Sequence, residues 1–262
     1  KGLKEVALAL AANEAVDVTT KDEDGKTALD YARANGEAMR MFGVAGIDVN
    51  AKYEEDAMTP LSMMNVYDIT PLMCAIRKGH KELALAMVAN EAIDVNVKHK
   101  YEGYIALHTA CGYGHKEVAL ALAANEAVDV NAKCREGWTP LHYACRKGHK
   151  EVVLALAANK AVDVDAKSKT GMTPLLVACR EEHKEVALVL VANEAVDVNA
   201  INKWGQTSLH FACWHGPKEL ALALLAKPNL DIHTVEICKE TPLSLALDKE
   251  LFTVLQAARD HP

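Results

Sequence analysis

Lys116–Val130 reads KEVALALAANEAVDV, and the same fifteen letters stand at Lys4–Val18. Close copies begin at Lys81, Lys150, Lys184 and Lys218, so from Lys81 onward the starts lie 35, 34, 34 and 34 residues apart. A second block leads the copies: Thr139-Pro140-Leu141-His142, Thr173-Pro174-Leu175-Leu176 and Thr207-Ser208-Leu209-His210, with weaker versions at Thr27, Thr70, Ile105 and Thr241. Self-similarity at one fixed period marks a chain built of small stacked units, each unable to bury its apolar face alone.

The residues of one unit specify two helices. Thr139 suits an N-cap and Pro140 suits position N1, where a missing N–H costs nothing. Leu141, Ala144 and Cys145 then fall on one face. Gly148 and His149 break the chain before a second helix. In the preceding unit the stripe of that second helix is read as Val118, Ala121 and Leu122. Asn13, Asn90, Asn125, Asn159 and Asn193 share the position just past it, where a left-handed Asn can close a helix as glycine does. Lys227-Pro228 stands there in the last full unit, and proline stops the helix instead.

T-P-L-H-x-A, then G-H-x-E-V, then D-V-N-A resembles the ankyrin repeat, whose usual period is about 33 residues. The resemblance covers nearly the whole chain. It implies an all-α repeat solenoid of stacked helix-turn-helix ankyrin repeats with β-hairpin loops, running over 1–262 as a single body. Residues 1–20 form a partial N-terminal repeat and 21–51 a short one. Residues 52–97 hold a repeat with an insertion, in which 52–69 carries a duplicate Thr59-Pro60-Leu61. Residues 98–132, 133–166, 167–200 and 201–233 are regular repeats, and 234–262 is a C-terminal cap with a polar outer face. Because 1–18 supplies only a second helix and no initiator Met, the chain reads as a fragment of a longer protein or as lacking its N-terminus.

Composition limits the remaining choices. The chain has 262 residues, 50% apolar, with three phenylalanines and a formal charge of -7. Abundant Ala and scarce Phe imply a thin core with helices in close approach. No apolar run reaches the roughly 18 residues of a membrane span. The acidic balance gives no push toward long nucleic acid or an anionic lipid surface, so neither membrane nor long nucleic acid is expected as a partner. Seven cysteines, mostly too far apart to pair, suggest a reducing compartment, cytoplasmic or nuclear.

Periodicity also disposes of the chemistry that single residues suggest. Cys111, Cys145, Cys179 and Cys213 lie 34 residues apart, and His108, His142 and His210 each precede one by three. Equivalent positions in stacked repeats are separated by roughly 8–10 Å, the interaxial distance of packed helices. That is too far for a disulfide, whose Cα atoms lie about 4.4–6.8 Å apart, and for common ligation of one zinc. These are expected to be buried thiols beside structural histidines that bond neighbouring loops. His80, His115, His149 and His183 follow the repeat too and cannot meet at one centre. Cys74 takes a different helical position, while Cys134 and Cys238 sit in hairpin loops, where an exposed, reactive thiol is the minority reading. No G-x-S-x-G, H-E-x-x-H, phosphate-cradling glycine loop or C-x-x-C occurs, so no enzyme, cofactor or metal is expected. Lys116-Glu117 and its equivalents read as a solvated outer face.

In the ankyrin family, as the resemblance implies, partners meet the hairpin tips and the concave face of the first helices. Here those positions hold Arg77 and Lys78; Lys100, Tyr101, Glu102, Tyr104 and Tyr113; Lys133, Arg135, Glu136, Trp138, Arg146 and Lys147. They continue with Lys167, Lys169, Thr170, Met172, Arg180 and Glu181, then Lys203, Trp204, Gln206, Trp214 and His215. All three tryptophans of the chain fall in this set, and its cations outnumber its acids although the chain is acidic. Trp, Tyr and Arg dominate interface hot spots. The expected function is therefore a protein-protein interaction module or scaffold that binds another protein, through an acidic or phosphorylated segment. A nucleotide- or oligonucleotide-sensing domain is the alternative, since aromatic rings beside cations also stack bases. A regulatory region of a larger enzyme is a third. Asn131 and Asn199, in D-V-N-A hairpins, resemble those of ankyrin domains that are asparagine-hydroxylase substrates; a turn-stabilising Asn is the plainer reading.

Overall fold

The structure, a computed structural model, describes residues 70–91, 93–214, 216–246 and 248–260. The expectations for 1–69, including the partial first repeat, the short repeat and the 52–69 insertion, lie outside the described residues, as does His215. Two compact units divide the chain, Lys1–Asp129 and Val130–Pro262.

The described part of the first unit holds helices α1 (Pro71–Arg77), α2 (Lys81–Val88), α3 (Ala106–Tyr113) and α4 (Lys116–Ala124). The second holds α5 (Pro140–Arg146), α6 (Lys150–Ala157), α7 (Pro174–Arg180), α8 (Lys184–Ala192), α9 (Ser208–Trp214), α10 (Lys218–Leu225), α11 (Pro242–Leu245) and α12 (Lys249–Asp260). Odd-numbered first helices pack on one another within a unit, and so do even-numbered second helices, as in α1 on α3, α2 on α4, α5 on α7 on α9, and α6 on α8 on α10. Every element among the described residues is helix or turn. The hairpin fingers between repeats are tight turns, too short to develop strand ladders.

Local chemistry accounts for the helices. Thr70 and Thr173 cap α1 and α7 by accepting the Met73 and Leu176 N–H at 3.2 and 3.3 Å. Where the third helical residue is histidine, its ring does the work of the Glu in a capping box. Nδ1 of His108, His142 and His210 accepts the backbone N–H of Ile105, Thr139 and Thr207 at 3.2, 3.1 and 3.1 Å. Within each repeat the core is a thin sandwich, as of Leu107, Ala110 and Cys111 against Val118, Ala119 and Leu122. Ala119, not Ala121, completes the second-helix stripe, because the buried arc is centred one residue earlier than the spacing suggests.

The helix ends close differently from expectation. Asn125 and Asn193 are extended, with φ of -78° in both. Instead of adopting a left-handed cap, each Asn uses its side chain twice. Oδ1 accepts the N–H of Ala127 or Ala195, both at 2.9 Å, and Nδ2 donates to the last helical turn of the preceding repeat, to the carbonyl of Val88 or Ala157. A local turn and a repeat-to-repeat bond are thus served by one amide.

Fingers approach so closely in the second unit that glycine is required at their tips. A Cβ on Gly137, Gly171 or Gly205 would stand 2.8, 3.1 or 3.2 Å from the backbone of the next finger. That approach lets Lys169 N–H donate to Glu136 carbonyl at 3.0 Å, Lys203 N–H to Thr170 carbonyl at 2.9 Å and Ile237 N–H to Trp204 carbonyl at 2.9 Å. The equivalent tip residue of the last finger is Lys239, which keeps the left-handed backbone at φ 67° although it carries a side chain. The last repeat also departs from the polar cap expected of it: Phe252 and Val254 of α12 are exposed. Phe252 occupies the position that Ala84, Ala119, Val153, Ala187 and Ala221 fill as buried residues in the other second helices.

Candidate interaction surface

The cysteine ladder is buried, as its spacing suggested. All seven cysteines are free thiols. Burial pushes the thiols of Cys179 and Cys213 up to about 12 and that of Cys111 higher still, which leaves these groups without nucleophilic thiolate. Cys134, although it lies in a finger, is buried, and its backbone closes the turn with Trp138 and Gly137. Cys238 is exposed, but the carboxylates of Glu236 and Glu240 raise its pKa and disfavour a reactive thiolate. Among the described residues no cluster of three His, Cys, Asp or Glu side chains is placed to hold a metal ion.

The histidines are structural joints. With Nδ1 of His142 accepting from Thr139, Nε2 carries the proton and donates to the Met172 carbonyl of the following finger at 2.9 Å. His183 in the other series bonds the Arg146 carbonyl of the preceding repeat at 3.0 Å and lies over Gly148.

The positions read as partner-binding separate into three kinds. Met172 is 1% exposed: its carbonyl accepts the hydrogen bond of His142 Nε2–H and its sulfur accepts from Asn202, so it belongs to the core and not to a contact surface. Trp138 is half-buried. Its indole lies edge-on to Tyr143 at 5.9 Å and tilted on His142 at 5.7 Å, while the Arg146 guanidinium covers it at 5.3 Å. That tryptophan is therefore chiefly finger-to-helix packing, and Arg146 is oriented by it.

The remaining positions are open to solvent apart from Arg77 and Tyr104, which are half-buried. Trp204 and Trp214 are each 45% exposed, one on a finger and one at the end of α9. Arg135, Arg146, Lys147, Arg180 and Lys203 are exposed on fingers and first-helix ends of the second unit. Arg180 is held to Glu181 by its Nε and Nη2, at 3.1 and 2.6 Å, which reduces its free charge.

In the first unit Tyr101 and Tyr113 are exposed, and Lys100 lies 5.5 Å over the Tyr101 ring. His99 stacks on Tyr104 at 4.5 Å, and burial raises the Tyr104 phenol, with the Arg77 charge acting the other way. Lys78 is exposed, while Arg77 is half-buried at the end of α1.

Sequence reasoning missed the apolar side of this surface. Ile201, Val235 and Ile237 are exposed on the last two fingers of the second unit, Ile237 at 64%. Their signal was available: 34 residues earlier the first two stand at Lys167 and Ile201, and Ile237 follows the cations Arg135, Lys169 and Lys203.

Asn131 and Asn199, the residues of the D-V-N-A turns, also bind across repeats. Oδ1 accepts the N–H of Asp163 or Asp231 at 2.8 Å, and Nδ2 donates to the carbonyl of Ala161 or Asn229 at 2.7 or 2.6 Å. The Lys–Glu rows pair between adjacent second helices, as Lys81 with Glu117 at 2.9 Å and Lys184 with Glu219 at 3.2 Å, at exposed sites where such pairs contribute little.

Paired helices joined by fingers define a repeat scaffold in each unit. The family model for ankyrin repeats matches residues 53–133, 72–168 and 159–236, well over half of the sequence, and the chain belongs to the ankyrin-repeat family. Among solved structures it is similar to the ankyrin repeat domain of Bcl-3, a unique member of the IkappaB protein family. The two are 25% identical with a TM-score of 0.61, over 71% of this chain and 82% of that one. No curated protein matches the chain. Ankyrin repeats generally mediate protein-protein interaction and are typically non-enzymatic. No helix among the described residues is long and apolar enough to cross a membrane.

Proposed function

We propose that this chain is a protein-interaction module that docks an acidic or phosphorylated segment of another protein on its fingers and first-helix ends. The observation that carries the reading is the exposure of Trp204 and Trp214 among exposed cations, Arg146, Lys147 and Lys203 in particular, on a chain whose net charge is -7. A solvent-exposed indole gains most when a partner covers it, and the cations steer and orient an anionic segment. The free thiols agree with a reducing compartment, cytosol or nucleus.

The test is capture of partners from extract of the native host, identified by mass spectrometry, followed by titration of the recovered segment. Trp204→Ala and Trp214→Ala together are expected to weaken binding by about tenfold or more, with the melting temperature unchanged. Trp138→Ala is expected to lower the melting temperature as well, because its ring packs on His142 and Tyr143. Unaltered affinity in the Trp204/Trp214 double variant refutes the assignment of this surface. Recovery of short oligonucleotides instead of protein would favour a nucleotide-sensing role.

A further inference from the structure

The four fingers of the second unit are chemically graded along their row. At the first exposed position of each finger stand Lys133, Lys167, Ile201 and Val235; at the tip stand Arg135, Lys169, Lys203 and Ile237. The first two fingers are cationic at both positions. At the same two positions the last two carry one cation, Lys203, and three aliphatic residues, joined by the exposed indole of Trp204, with Lys239 a second cation at the turn of the fourth finger.

The backbone bonds between fingers make this a continuous surface. Lys169 is tied to the first finger, Lys203 to the second, and the Ile237 N–H donates to the Trp204 carbonyl at 2.9 Å, which sets the aliphatic tip of the fourth finger beside the third. Solvent exposure of Val, Ile and Trp together is unfavourable unless something covers them. Nothing among the described residues does: each keeps its exposure with the fingers fully zipped.

We infer that the finger row recognises a bipartite peptide, an acidic block lying on the first two fingers joined directly to an aliphatic or aromatic block lying on the last two. This rests on the reading above that the fingers dock an acidic segment, and it adds the second half of the recognition. Charge complementarity selects the acidic block, and the apolar end fixes its register. Neither half alone makes a large interface, but joined halves bind as one, because the second contact is then intramolecular.

The probes are synthetic, fluorescently labelled peptides: an acidic block alone, an apolar block alone, and the two joined in both orders, each titrated against the whole 262-residue chain at near-physiological salt. One joined order is expected to bind at least about tenfold more tightly than either block alone. Val235→Ser combined with Ile237→Ser should reduce the joined peptide to the affinity of the acidic block, whose own binding stays unchanged. Lys169→Glu should do the converse, weakening the acidic block and sparing the apolar one. Equal affinity of the acidic and joined peptides overturns the bipartite inference and leaves acidic docking standing. Failure of the acidic and joined peptides alike overturns both.

Discussion

Single residues show how a repeat sequence adapts to its neighbour. Gly148 turns α5 into α6 at φ 72°, and His183 of the next repeat lies so near that a Cβ there would stand 2.7 Å from its ring. The equivalent residue one repeat later is Glu182, at φ 59°, and the residue that would lie over it is Pro217 instead of histidine. Without that imidazole a side chain fits, although the left-handed backbone still costs roughly 1–2 kcal/mol. Glu182→Gly is therefore expected to stabilise the fold by about 0.5–1 kcal/mol, part of the relief being offset by a more flexible unfolded chain. Gly148→Ala adds both strain and collision and should cost roughly 2 kcal/mol or more. Denaturant titration of the two variants checks the opposite signs; a stabilising Gly148→Ala would contradict the role of His183.

At the scale of the element, the joint between repeats depends on amides at a fixed position. Asn96, Asn131 and Asn199 each accept a backbone N–H and donate to a carbonyl of the following repeat. Asp165 holds the same place between the second and third repeats of the second unit. Its Oδ2 accepts the Asp197 N–H at 2.9 Å, but Oδ1 is buried without a partner, since a carboxylate has no proton to give. Burial raises its pKa against the hydrogen bond from the Asp197 N–H, with the Asp197 and Asp163 charges adding to the rise and Lys167 opposing it. Asp165→Asn restores the missing donor and is expected to stabilise the second unit by about 1 kcal/mol at neutral pH. The gain should shrink in acid, where the carboxyl protonates and can donate for itself. A gain that stays constant from neutral to acid pH would show that the donor is not what the joint lacks.

For the second unit as a whole, His142 is one source of acid sensitivity, beside His210, whose pKa burial also lowers. Burial lowers its pKa to about 4, helped by the charge of Lys133 and opposed by the Met172 carbonyl and Asp163. In the unfolded chain an ordinary imidazole titrates near 6.5. The folded group thus binds its proton less readily than the unfolded one, so stability is complete above the unfolded value and is lost as pH falls through the window from about 6.5 to 4. This one residue should remove about 2 kcal/mol by pH 5. His142→Gln keeps an acceptor for the Thr139 N–H without a titrating ring, and urea unfolding of that variant should show a correspondingly flatter decline from pH 7 to pH 5. The same decline in both proteins would place the acid sensitivity elsewhere.

The period of 34, the Thr-Pro starts and the Leu and Ala stripes are written in local sequence, because capping and helical spacing depend only on near neighbours. They determined the repeat class, the two helices per unit, the burial of the cysteine ladder and the family. The set of positions on the fingers and first-helix ends was legible too, since repeat phase carries over to every copy. What each side chain does there was not. Met172 shares its phase with Trp138, Tyr104 and Gln206, yet turns inward because Asn202 and His142 of its neighbours meet it. Trp138 is spent on packing while Trp204 is left open, a difference made by Tyr143 and Arg146. The Asn at the helix ends and in the D-V-N-A turns looked like local devices and proved to be bonds across repeats. Trp138 meets near neighbours in sequence, but the other outcomes were decided by residues about 30 or more positions away, and only the tertiary structure brings such residues within the 3 Å over which a hydrogen bond acts.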